Sequence, residues 1–465
     1  MATELLAHPG AATLPRPAAA RPRAPRHAAL EDALSTAYRG LEVTFAVVAL
    51  CLMSHAVVLL LMQGGSVGTA EAYEGNAIMR TLFGVIHAIS VALVTVRWRA
   101  SLAAVGRRAT ILLLMGLALA STQWSAAPDL TLRRAIAFVG TTALGVFLAA
   151  RFTPRELLRV VAWAFGAMAV LSLLFAVGLS RYGVDHGIHP GAWQGVFTHK
   201  NVLGKAMVVG SFTFLLLRAD LPRDRRWIGT AGLGLCMFLV LMSTSKTALS
   251  VMLAMFASAA LFRTLRLRMD LAVIVFVGAV LVGGSVVALV AANWEALLMA
   301  AGKDPSLTGR IPMWEVLART IQERPWLGYG YNAFWLGEEG PSAAPLKEIG
   351  WLTPSAHNGY LEVALQLGLV GLAVFLAGYL AAVRQAIAGL RRTLTADALW
   401  PLLILTFTLL YNFTESVLLE KNNASWALYV AAVCSPILAR PAAARRRGSA
   451  GPRATPLPPA AAAGR

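Results

Sequence analysis

The chain has 465 residues, is 57% hydrophobic and only 14% charged, with a mean hydropathy of +0.64. Soluble domains run about 45–50% apolar and about 25% charged, so the surplus points to lipid rather than to a larger soluble core. The formal net charge of +18 raises nucleic acid as a partner, but its distribution along the chain, given below, argues against it. Cys51, Cys236 and Cys434 all lie in apolar stretches without metal-ligand spacing, so they form neither a loop disulfide framework nor a metal site.

In chain order, residues 1–40 are rich in Ala, Pro and Arg and lack an apolar run; they read as a disordered cytoplasmic tail. Apolar segments then recur at 42–62, 81–96, 109–123, 135–150, 160–179, 202–217, 227–244, 247–262, 271–292, 359–383, 398–416 and 423–439. A spanning helix needs about 20 apolar residues. The expectation is an all-α, polytopic transmembrane bundle of about twelve spans, nine in 41–292 and three in 359–439. Between them lies an outer loop, 293–358, as a periplasmic cap. Within it Ile311, Trp314, Leu317 and Ile321 recur at helical spacing behind Pro312, and Pro325, Gly328 and Gly330 close the run. An amphipathic helix is predicted there, lying on the membrane or capping the bundle. Residues 440–465 are a basic tail containing Arg445, Arg446 and Arg447.

Charge fixes the orientation. With the N-terminus inside, the inner loops and tails hold 28 of the 41 Lys and Arg residues, as the positive-inside rule requires. Attraction to the anionic cytoplasmic leaflet accounts for the high pI without nucleic acid. Both termini are expected in the cytoplasm of a bacterial cell, with the protein in the inner membrane.

Four places on the outer side put cations beside helix starts. GVFTHKN brings His199, Lys200 and Asn201; STSKT brings Ser245 and Lys246 in a tight hairpin; LTGRIPMW brings Arg310; SAHNGYLE brings His357 and Asn358. Cations and helix N-termini at one water–membrane boundary make a site for a dense anion. Arg310 offers a planar fork to phosphate oxygens, whereas Lys200 and Lys246 act as point charges. Taken singly, each residue has a plainer use: a lysine snorkelling to the interface, a helix-start arginine, a structural histidine. Lys246 fits that use least well, because a charge in a two-residue turn between spans is costly without a partner. His55 and His87 lie within spans and read as interhelical hydrogen-bonders. No D-x-D pair occurs, so a divalent-metal site has no obvious ligands, and no cofactor is called for.

The stretches QWSAAPDLTLRRA (123–135), GAWQGVFTHKNVLG (191–204), LMSTSKTALS (241–250), LTGRIPMWEVL (307–317), RPWLGYGYNAF (324–334) and SAHNGYLEVALQLGLVGL (355–372), taken in order, resemble the O-antigen ligase and Wzy-type polysaccharide polymerase superfamily. Within it the chain is similar to the ExoQ-like exopolysaccharide polymerases. The resemblance implies transfer of a glycan from undecaprenyl diphosphate to an acceptor hydroxyl at the periplasmic face, without nucleotide sugar or metal. It places the family's functional cations and histidine on Lys246, Arg310 and His357. In such a reaction His357 is the general base, and Arg310, Lys246 and Lys200 bind the diphosphate, with His199, Asn201, Ser245 and Asn358 in support. Similar ligases carry Arg where Lys246 stands, which favours a growing glycan over lipid A-core as acceptor. Membrane lipids and polysaccharide chain-length and export proteins are the further partners implied. Three readings stand side by side: a polymerase of exopolysaccharide repeat units, a ligase to lipid A-core or protein, and a transporter of lipid-linked glycan.

Overall fold

The computed structural model describes residues 26–56, 58, 76–106, 108–187, 189–264, 310–393 and 395–435. The span expected at 271–292, the loop start at 293–309, and parts of the first and last spans and of both tails lie outside the described residues. The described elements are helices, with a single isolated bridge between Val184 and Trp193. The chain divides into two compact units at Phe45, and the packing that follows concerns Ala46 onwards.

The long helices are α1 (Arg26–Met53), α2 (Ala77–Val96), α3 (Trp98–Val105), α4 (Ala109–Ala120), α5 (Pro128–Arg151), α6 (Pro154–Gly178), α7 (Lys200–Asp220), α8 (Arg226–Met242), α9 (Lys246–Thr264), α10 (Arg310–Glu323), α11 (Ala343–Ile349), α12 (Gly359–Arg392), α13 (Trp400–Tyr411) and α14 (Ala424–Val433). Among the described residues eight helices are long and apolar enough to cross a membrane. They are α1, α2, α5 to α9 and α12, with α8 counted from Arg223. A ninth arises if α3 and α4, bent by 96° to one another, form one broken crossing. The expected dozen is reached only to that extent.

Within the last two expected spans, 398–416 and 423–439, stand shorter apolar helices, Ala396–Tyr411 when the turn before α13 is counted, and α14; residues 436–439 lie outside the described ones. Asn412 bounds the first of them. Its buried amide donates to Thr408 O at 2.7 Å and accepts from Val417 N and Leu418 N at 2.9 and 3.1 Å, which ends α13 and turns the chain across the bundle. The apolar run Val417–Leu419 is buried in that crossing segment. Apolarity alone could not tell it from a helix. Conversely, α5 starts at Pro128 rather than at 135, because Pro in the first turn followed by Asp129 is a strong helix start.

Small residues set the packing around α5. A Cβ at Gly145 would stand 2.6 Å from Ala427 O of α14, so the two backbones nearly touch. Trp426 donates across the same contact to Thr142 Oγ1 at 2.9 Å. On the other side His87 of α2 meets Thr141 Oγ1 at 3.3 Å, the interhelical bond expected of it.

The most unusual joint is in α12. Gly368 interrupts the helix with φ 66° and ψ −171°, a conformation essentially reserved for glycine. The freed backbone groups are taken up by residues 325–330 of the preceding loop. Tyr329 N and Gly330 N donate to Leu365 O and Gln366 O at 2.8 and 3.0 Å, while Pro325 O and Trp326 O accept from Leu369 N and Val370 N at 2.7 and 3.2 Å. The approach is so close that a Cβ on Gly368 would lie 2.1 Å from Trp326 O. Gly368→Ala is therefore expected to cost more than about 3 kcal/mol and to abolish the monodisperse peak in detergent size exclusion. Gly84→Ala, where a Cβ meets nothing within 4 Å, should elute as the wild type does.

Candidate active site

The starts of α7, α9 and α12 face one side of the bundle together with the start of α10, because each reaches the same short segment or a neighbour of it. That segment is 412–423, the link between α13 and α14. The sequence supplies a cap for three of these starts. The His199 ring accepts from Asn201 N at 3.1 Å, the Asn358 amide accepts from Tyr360 N and Leu361 N at 3.0 and 3.2 Å, and Ser245 Oγ accepts from Ala248 N at 3.4 Å. The α7 and α9 starts are pressed together at Gly204, where a Cβ would meet the Ala248 Cβ at 2.6 Å.

Glu415 joins them. His357 Nδ1 lies 3.4 Å from its Oε2. Arg310 Nη2 lies 3.5 Å and Asn201 Nδ2 3.4 Å from its Oε1. Asn201 Oδ1 in turn accepts from Ser245 Oγ at 2.9 Å. Three residues singled out from three separate motifs thus meet around one carboxylate, and Ser245 from a fourth joins through Asn201. Arg310 also donates through Nη1 to Thr414 O at 2.6 Å, so its fork already grips two neighbours in the 412–423 segment. His357 holds a left-handed backbone, φ 47°, and its N–H reaches Ser355 Oγ at 3.4 Å.

Asn358 N donates to Ser416 Oγ at 3.1 Å, tying the histidine's neighbour to the same segment. Lys200 and Lys246 are the first residues of α7 and α9. Lys246 is exposed, which relieves the cost of a charge at the hairpin. The turn itself is the three residues Ser243–Ser245 rather than the expected two, Ser245 and Lys246, with Thr244 at φ 50°. Among the described residues neither lysine makes an ion pair within 4 Å, and both stand beside the Asn201–Ser245 bond. His199 contributes its cap, and its ring lies 5.6 Å from that of His189.

Beneath His357 the loop is held by a buried carboxylate. Glu362 accepts from Trp335 Nε1 at 3.0 and 3.1 Å, from Ala356 N at 2.9 Å and from Gln366 Nε2 at 2.8 Å. Trp314 of α10 adds a bond to Ala356 O at 2.8 Å. The apolar face of α10 is Met313, Val316, Leu317 and Thr320, with Trp314 and Ile321 half-buried; Ile311, expected on that face, is 37% exposed. Met313 and Leu317 pack against Tyr329, Phe334, Ala356 and Leu365, so the helix clamps the histidine loop to α12. The 123–135 motif braces the other side: Thr131 Oγ1 donates to Tyr331 O at 3.2 Å and Arg134 to Asn332 O, while Tyr331 itself donates through N to Ser121 Oγ at 3.0 Å and through OH to Leu419 O at 2.6 Å.

Electrostatics separate the two acids of the 412–423 segment. Burial pushes the Glu415 carboxyl up, but the hydrogen bond and charge of His357 and the Arg310 guanidinium outweigh it, and the net shift is down. For Glu420 burial dominates over Lys205 and Lys421, and the shift is up. Burial, then the neighbouring His189, hold His199 below the usual imidazole value, consistent with a ring nitrogen that accepts a bond from Asn201 N. Lys205, one turn beyond Asn201 on α7, acts on both acids and lines a water-sized cavity with Ser54, Asn423 and Ser425. Glu415 escaped the sequence reading because it was counted at the edge of a span. The available signal was a lone carboxylate inside a long apolar tract, which is rare without a partner.

Residues 230–376 match the family model for O-antigen ligase. The chain is also 29% identical over 259 residues to the exopolysaccharide production protein ExoQ of Rhizobium meliloti (strain 1021), a match covering 54% of this chain and 58% of that protein. The chain thus spans little more than half the length of that relative. Both findings support the resemblance to O-antigen ligases and ExoQ-like proteins carried by the motifs, and with the long apolar helices they support a multi-pass membrane protein whose residues 230–376 are similar to O-antigen ligase. The matched stretch contains Lys246, Arg310 and His357, while Asn201 and Glu415 lie outside it.

Proposed function

We propose that the protein is an inner-membrane glycosyltransferase that moves a glycan from undecaprenyl diphosphate to an acceptor sugar hydroxyl at the periplasmic face, polymerising exopolysaccharide repeat units. The observation that carries this reading is the His357–Glu415–Arg310 cluster at converging helix starts. A carboxylate at Nδ1 orients an imidazole and leaves Nε2 to take a proton. In the proposed step, Nε2 accepts the proton of the acceptor hydroxyl while that oxygen attacks the anomeric carbon. The bond from that carbon to the diphosphate oxygen breaks, and its electron pair leaves with the diphosphate. Lys200, Lys246 and Arg310, with the helix N-termini, stabilise the charge that develops. A single displacement of this kind inverts the anomeric centre.

Sidedness is supported by the opposite helix ends. Arg151, Arg218, Arg263, Arg391 and Arg392 lie in the last turns of α5, α7, α9 and α12, at the ends remote from the cluster. The positive-inside rule puts those ends in the cytoplasm and the cluster outside. Among the described residues no group of three or more His, Cys, Asp or Glu is placed to hold a metal.

The decisive assay supplies purified protein in nanodiscs with a defined undecaprenyl-diphosphate glycan, without nucleotide and with EDTA. Donor alone is expected to give lengthened lipid-linked glycan. Product only on adding lipid A-core would replace polymerase by ligase. Passage of lipid-linked glycan across a vesicle membrane without transfer would replace both by a transporter, and loss of activity on EDTA addition would end the metal-free form of the mechanism.

A further inference from the structure

We infer that residues 325–330, part of what reads as an aqueous outer loop, form a re-entrant segment embedded in the hydrocarbon of the leaflet on the cluster's side. The depth follows from α12. Beyond the Gly368 break its uncharged helix, Leu369–Val383, is about 22 Å long at 1.5 Å per residue, against a hydrocarbon core of about 30 Å. Arg384 follows it and sets the far boundary. Gly368–Val370, to which the loop is hydrogen-bonded, therefore lie about 6–9 Å inside the opposite face of the core.

Irregular backbone survives at that depth only when its polar groups are paired within the protein. Here they are. Besides the four bonds across the Gly368 break, Gly328 N donates to Arg324 O at 3.2 Å and Leu327 O accepts from Trp124 Nε1 at 3.1 Å. The other face of the joint is apolar and open: Trp326 is 68% exposed, Leu327 41%, Leu369 43% and Val370 38%. These four are neighbours, since Leu369 N and Val370 N are bonded to Pro325 O and Trp326 O. A contiguous patch of this kind is unfavourable in water and suits phospholipid acyl chains. We commit to those chains as its occupant, because the patch is continuous with the exposed apolar face of α12 that runs on through Leu376 and Leu380.

The test is nitroxide labelling of full-length protein in nanodiscs, with Cys51, Cys236 and Cys434 replaced by Ala. Single cysteines at Trp326, Leu327 and Val370 are compared with Ala344, exposed on α11, and Val170, exposed on α6. Oxygen is expected to relax labels at 326, 327 and 370 several-fold more than a water-soluble nickel chelate does, as at Val170, with the opposite order at Ala344. The Leu327 and Val370 positions give the answer even if Trp326→Cys fails to fold. Chelate access at 327 and 370 equal to that at Ala344 would overturn the re-entrant assignment. Transfer activity is not the readout, so the outcome is independent of the proposed reaction.

Discussion

Replacing His357 with Asn is expected to lower glycan transfer by about 100- to 10,000-fold, the usual contribution of a general base, while the protein still folds and binds the lipid-linked donor. Asn is the informative replacement because position 357 has φ 47°, and Asn is among the few residues enriched in the left-handed region. It is shorter than His and has no titrating nitrogen at the Nε2 position. The caps and ties around it, Asn358 to Tyr360 N and Asn358 N to Ser416, involve other side chains and should persist. Initial rates, donor affinity and the thermal midpoint are measured on the same preparations. Turnover within threefold of wild type would remove His357 from the chemistry.

Glu415→Gln should have the second largest effect, and on two observables. The amide keeps the size of the carboxylate but removes the charge that Arg310 and His357 share. Removing one partner of a buried ion pair costs about 3–5 kcal/mol; the Arg310 and His357 side chains are 22% and 25% exposed, so we expect about 2 kcal/mol after screening. Transfer should fall at least tenfold, because the imidazole loses its orienting charge. The pH dependence has a definite sign. The folded-state pKa of Glu415 lies below the ordinary value of 4.5, so its stabilisation is complete above that value and is lost as pH falls through the lower folded one. Wild-type stability should therefore drop in that acid window, and the Gln variant should lack that component. Parallel acid profiles for the two proteins would mean that Glu415 is not held ionised by its neighbours. An acid limb of activity near neutrality belongs to another group, since Glu415 is already charged there.

Much of this was legible in the sequence. His199, Ser245, Arg310 and His357 were each recognisable as polar residues at a helix start, and helix starts are written locally by caps and prolines. What brings them together was not written locally. Asn412 ends α13 through hydrogen bonds to residues four to six positions away, and only then can Glu415 turn back to meet α7, α10 and α12. In the sequence that stretch is a hydrophobic tract with one acid in it, which periodicity assigns to a span. The break in α12 was hidden for a related reason. A glycine within an apolar helix pattern is common in membranes, and its partners lie about 40 residues earlier in the chain. Conversely, Gly328 and Gly330 were visible as loop glycines, yet their use, close approach to another helix's backbone, depends wholly on the tertiary structure.

The joint at Gly368 also has a consequence for biosynthesis. Residues 325–330 leave the ribosome about 40 residues ahead of the helix that satisfies them. At roughly 5–20 residues per second, that is a wait of about 2–8 seconds. During it Tyr329 N, Gly330 N and the carbonyls of Pro325 and Trp326 have no partner on α12, and such groups are expensive in hydrocarbon. The segment must therefore wait in water or in the translocation machinery and enter the bilayer only as α12 arrives. Insertion at this point is a joint event of loop and helix, and a nascent chain arrested just before Gly368 should remain open to proteases that the finished protein resists.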